Sequence, residues 1–176
     1  MTQRPQLPAD PAPHPAYHLA QLNVAELRAP LDSARLAGFV SQLATINALA
    51  DAAPGFVWRL ADESDDATSY RPYENDMVLV NLSVWRSMRE LWEFVYRTAH
   101  LEVMRHRREW FHRMAQPYLV LWWIPAGEIP TLAEAVSRLE ALRAHGPGPD
   151  AFTFRTPFPP PSAAAPPVAT PARTAG

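Results

Sequence analysis

The residues best suited to chemistry lie between positions 81 and 111. His100 and Arg107 stand one heptad apart in a stretch with helical periodicity, so they share a face with Met104 and Phe111. A histidine titrates near neutral pH and can exchange a proton with a substrate oxygen, or ligate a haem iron. A guanidinium keeps its charge and stabilises a developing enolate. A cation among apolar neighbours needs a partner, so the pair either meets a buried acceptor in the core or borders a pocket. The pocket alternative places it between this helix and a sheet, with Tyr96, Met104 and Trp85 beside it. Asn81 shares a strand face with Ser83 and Trp85, and Asn47 interrupts the apolar face of an earlier helix. Such groups are either satisfied across the fold or line a ligand site. Six tryptophans, Trp58 and Trp85 among them, serve a core or suit a flat aromatic or polyene ligand.

Metal chemistry finds little support. His100, His106 and His112 are six residues apart, about 240° on a helix, and point in three directions. Glu102, His106, Glu109 and Arg113 share a face, but mixed charge at spacings of three and four reads as a solvated stripe of helix pairs. No phosphate loop, nucleophile elbow or His-Glu-x-x-His occurs, so no organic cofactor is implied.

Composition sets the class. The chain has 176 residues, 48% hydrophobic and 19% charged, as in a globular domain with a sizeable core. A net charge of −2 argues against a nucleic-acid partner, which needs a basic surface. The lack of cysteine excludes disulfides and thiolate metal sites. No apolar run suits a signal peptide or a membrane span, so a cytoplasmic location is expected. Of 20 prolines, five fall in residues 1–15 and seven in 157–171. Proline fixes φ and removes a backbone donor, so residues 1–15 and 157–176 read as flexible tails around a folded domain at 16–156.

The candidate residues need elements to position them. Alternation marks strands at 17–24, 56–61, 77–85 and 118–124. A periodic stretch from Leu36 to Ala50 predicts a helix closed by Pro54-Gly55, and a second helical region spans about 87–114. Its apolar stripe before Thr98 is rotated by about 100° from the stripe after His100, which predicts a break near Thr98–His100. Thr131 and Glu134 have capping-box spacing and open a last helix to about Ala144. The order β-α-β-β-α-β, plus one helix, is the ferredoxin-like split βαβ arrangement, an α+β fold. The fourth strand is apolar on both faces, Tyr118, Val120, Trp122 and Ile124 on one and Leu119, Leu121 and Trp123 on the other. With the helices on one face of the antiparallel sheet, a second subunit is expected on the other, giving a homodimer.

The stretch SVWRSMRELWEFVYRTAHLEVMRHRREWF at 83–111 resembles the third-strand and second-helix region of dimeric α+β barrel proteins. GFVWRL at 55–60, VNLSVW at 80–85, LVLWWIPAG at 119–127 and HGPGPDAFTF at 145–154 resemble the bacterial family called domain of unknown function 3291. The resemblance implies a dimeric α+β barrel. The wider superfamily includes antibiotic-biosynthesis monooxygenases, muconolactone isomerase and haem-binding oxygenases, with sites between sheet and helices. Three readings stay open: a cofactor-independent monooxygenase or isomerase acting on an apolar aromatic or polyketide-like molecule, a haem protein with His100 as axial ligand, and a non-catalytic module for a small apolar ligand.

Overall fold

The computed structural model describes residues 16–62, 66–70, 73, 75–98 and 106–161. Four strands alternate with helices in the expected order: β1 Tyr17–Glu26, α1 Ala37–Asp51, β2 Phe56–Arg59, β3 Val78–Trp85, α2 Met88–Arg97, β4 Leu119–Pro125 and α3 Leu132–His145. The sheet order is β2-β3-β1-β4, every neighbour pair antiparallel, as a split βαβ topology requires.

Local chemistry sets the boundaries. Gly55 adopts φ +76, open to glycine at little steric cost, and turns the chain from α1 into β2. Ser87 caps α2 by accepting from the Glu90 N–H at 3.2 Å, and Thr131 caps α3 by accepting from the Glu134 N–H at 3.1 Å. The second helical region does not run through: α2 ends at Arg97, Thr98 is extended, and helix reappears at 106–110.

The β1–β3 and β1–β4 registers pair odd residues with odd and even with even, so each face of these strands carries one parity. Helices α1 and α2 lie over the odd face, where Ala50, Leu91 and Phe94 join Leu19, Trp85 and Leu121. Helix α3 lies over the even face, where Ala135, Leu139 and Leu142 join Leu22, Leu82, Val120 and Trp122. This corrects the expectation of helices on one face. The doubly apolar β4 does need two covers, but one chain supplies both: Val120, Leu121 and Trp122 are all 0% exposed. An uncovered sheet face therefore gives no reason for a second subunit.

A second correction concerns β2. Regular alternation puts Phe56 and Trp58 on the same face. The register shifts between them, pairing Phe56 with Trp85, Trp58 with Val84 and Arg59 with Ser83. The extra residue, Val57, is exposed, and past it the parity flips. Trp58 consequently packs with the even-face core, and Arg59 comes to the odd face.

Candidate functional site

Helix α1 leaves space beneath itself. It carries no charge between Ala37 and Ala50, and Ala50 is its one buried residue. Its ends are fixed: Phe39 packs edge-on against Phe111 at 5.1 Å, and Asp51 takes a bidentate ion pair from Arg59 at 2.8 and 3.1 Å. Between these anchors Leu43, Ile46 and Asn47 are only half-buried and face a cavity of about 280 Å³. That volume, at the small end of ligand pockets, suits about two or three fused rings.

The cavity floor is the odd face of the sheet. A hydrogen-bond chain crosses it: Trp85 Nε1–H donates to Ser83 Oγ at 3.0 Å, and Ser83 Oγ–H donates to Gln21 Oε1 at 3.2 Å. Gln21 Nε2 then donates to the Asn81 carbonyl at 3.0 Å and to Asn23 Oδ1 at 3.4 Å. Gln21 is thus satisfied although almost fully buried, as its position demands. Asn81 differs. It lies mid-strand yet is exposed, and its carboxamide has no partner among the described residues. Its exposure marks where the cavity meets the sheet.

The far end is built by residues 107–118. Arg107 is half-buried; its Nη1 donates to the Tyr118 hydroxyl at 3.3 Å, and the guanidinium carbon sits 5.0 Å above the Tyr118 ring. Among the described residues no carboxylate lies within ion-pair distance of Arg107. A cation met, among the described side chains, by a phenol alone projects its field into the cavity. Tyr96 lines the same end, and burial first, then the neighbouring Tyr118, push its hydroxyl above the ordinary tyrosine range, with Arg107 pulling the other way. It therefore remains a neutral donor at physiological pH.

Of the residues proposed from sequence, Arg107, Tyr96, Trp85, Asn81, Asn47 and Phe111 converge on this cavity. Trp58 does not, because the Val57 bulge turns it to the other face. His100 and Met104 lie outside the described residues, and with them the haem reading. Sequence reasoning missed Tyr118, which looked like the first residue of an apolar strand. It missed His112 at the rim as well, having weighed it only as a metal ligand. His106, by contrast, pairs with exposed Glu109 at 2.8 Å, as the solvated-stripe reading expected. Among the described residues no group of three metal-ligating side chains occurs, and no helix is long and apolar enough to cross a membrane.

A family model described as "Domain of unknown function (DUF3291)" matches residues 18–168. No curated protein sequence matches the chain. Two solved structures are similar, both of SnoaB, a cofactor-independent oxygenase from Streptomyces nogalater. The first, an asparagine-to-alanine mutant, is 18% identical, covering 65% of this chain and 96% of that one with a TM-score of 0.42. The second is 19% identical, covering 66% and 98% with a TM-score of 0.41. With the family match spanning most of its length, the chain belongs to the DUF3291 family.

Proposed function

We propose that this family member is a small-molecule enzyme of the cofactor-independent monooxygenase or isomerase type, acting on a flat aromatic or polyketide-like substrate with an acidic enol or phenol oxygen. The observation that carries the reading is Arg107, a cavity-lining guanidinium whose described side-chain partner is the Tyr118 hydroxyl and not a carboxylate. In an apolar enclosure, such a charge lowers the pKa of a nearby enol or phenol and stabilises the anion. Neutral Tyr96 and the free carboxamide of Asn81 add donors for a second oxygen, and Phe39, Phe56, Phe94 and Phe111 supply apolar walls. Oxygenation and isomerisation of such substrates share a first step, loss of a proton to give an electron-rich anion. On sequence spacing alone, His100 is the proposed proton acceptor.

Alizarin, a flat dihydroxyanthraquinone whose absorption shifts to the red on ionisation, tests this. Bound to the protein below its solution pKa, it should show the ionised spectrum, and Arg107→Ala should abolish the shift. Binding with the neutral spectrum, or no binding, overturns the reading.

A second reading, a non-catalytic binding module, draws on the floor itself: Trp85, Ser83 and Gln21 spend their polar groups on one another and on the backbone. Recovery of alizarin unchanged after prolonged aerobic incubation, by mass spectrometry, would favour it.

A further inference from the structure

Strand β3 has a free edge inside the cavity. Val24 directs its N–H to the Tyr118 carbonyl at 2.8 Å, toward β4, so in the Val24–Val80 pair both backbones point away from each other. Leu60 N–H donates to the Leu82 carbonyl at 2.8 Å, which confirms that even residues of β3 point their backbone groups toward β2. But β2 ends at Arg59, and beyond Leu60 the chain turns away, with Asp62 N–H bonded to the Asp66 carbonyl at 2.7 Å. Among the described residues no strand lies beside Val80 on this side. Among the described residues nothing accepts from the N–H groups of Val80 and Leu82 or donates to the Val80 carbonyl. Both residues line the cavity although they are 6% and 1% exposed. Their side chains belong to the even-face core, so the cavity meets their backbone edge. A buried strand edge with free polar groups is costly and is normally covered.

We propose that this edge, the Val80 N–H and C=O with the Leu82 N–H, is the wall that selects the ligand by binding an oxygen-rich side of it carrying both a carbonyl acceptor and a hydroxyl donor. The inference rests on the reading of the cavity as a small-molecule site and narrows its substrate class to polyoxygenated rings. A donor–acceptor–donor row rejects a plain hydrocarbon edge, because the backbone groups would be left without partners.

The test is amide hydrogen exchange by NMR on the full chain, with two probes: alizarin, and anthraquinone, which has the same rings without hydroxyls. In the free protein, Val80 and Leu82 should exchange much faster than Asn81 and Ser83, whose N–H groups point to β1. Alizarin should slow exchange at Val80 and Leu82 and shift their amide protons, and it should bind at least tenfold more tightly than anthraquinone. Val80→Pro removes the outward N–H and trims the core side chain while breaking no ladder hydrogen bond, a change tolerated at strand edges, and should erase that preference. Should that variant fail to fold, the exchange and shift at Leu82 decide. If Val80 and Leu82 exchange as slowly as Asn81 and Ser83 in the free protein, or if both probes bind equally without touching them, the edge proposal is overturned and the cavity reading stands. If neither probe binds, both are overturned.

Discussion

Arg107 is held by Tyr118 twice over, by a hydrogen bond of 3.3 Å to its hydroxyl and by stacking 5.0 Å above its ring. These two contacts come apart under mutation. Tyr118→Phe keeps the ring and loses the hydroxyl, so Arg107 should stay in place and alizarin affinity should fall only a few-fold. Arg107→Ala removes the charge, worth about 1.5–3 kcal/mol in a charged hydrogen bond, or a ~10–150-fold loss of affinity. Melting temperature should hardly move in either case, because no ion pair of Arg107 is broken among the described residues. Equal losses from both variants by fluorescence titration would mean that the guanidinium acts only as a support.

Trp58 and Trp85 make a paired test of the bulge. Trp85 packs on Phe94 at 5.1 Å and Phe56 at 5.4 Å and donates to Ser83 in the cavity floor. Trp58 lies half-buried on the opposite face. Trp58→Ala should therefore lose stability without affecting alizarin binding, by about 2–3 kcal/mol, less than the ~3–5 of a fully buried tryptophan. Trp85→Phe keeps much of the packing but strands Ser83, and should weaken binding as well as stability. A binding defect in Trp58→Ala at matched folding would contradict the flipped register.

Much of the architecture was legible in the sequence, and the exceptions have a common cause. Helix and strand periods and Pro54-Gly55 mark the elements, and the rotated apolar stripe foretold the end of α2 beside Thr98. Those signals are local. The side of the sheet taken by α3 depends on how the chain crosses from β4, and the pattern Ala135, Leu139, Leu142 is the same on either face. A one-residue bulge leaves no mark in Phe-Val-Trp-Arg, yet it exchanges Trp58 for Arg59 at the cavity side. In the site, Arg107 and Asn81 stood out because a charge and an amide interrupted apolar faces. Tyr118 did not, because a tyrosine after a proline suits any strand start.

Stability should fall in alkali for a stated reason. Tyr73 is pushed above the ordinary tyrosine value of 10.0 by burial, then by its hydrogen bond to Glu140, with Arg143 opposing. Tyr96 is raised by burial and by Tyr118. A raised pKa means that the folded state holds its proton longer than the unfolded chain does. Below pH 10 both states are protonated and the contribution is complete. As pH rises past 10 the unfolded phenols ionise first, and the contribution is lost as the folded pKa is reached. Urea midpoints should thus be flat between pH 8 and about 9.5 and drop above 10. Tyr73→Phe should show a smaller drop, and an identical drop would remove Tyr73 from the account.

The folded part of the chain should extend past the point where proline content alone would end it. Trp123 Nε1–H donates to the Phe158 carbonyl at 2.8 Å, and the Phe158 ring lies 6.0 Å from that of Phe152, which is 0% exposed and bridged to Leu121. Phe158 also packs against the odd-face cluster that carries Trp85 and Leu91. Prolines on either side fix φ and so reduce the entropy lost when this segment docks. A chain ending at Thr156 gives up that aromatic contact and leaves the Trp123 indole without its acceptor, a loss of about 2–4 kcal/mol. A chain ending at Pro161 keeps both. Thermal unfolding of the two truncations beside the full chain separates them: the longer should melt within a few degrees of full length, and the shorter well below it. If both melt with the full chain, Phe158 adds nothing to the fold, and the domain ends where proline content first suggested.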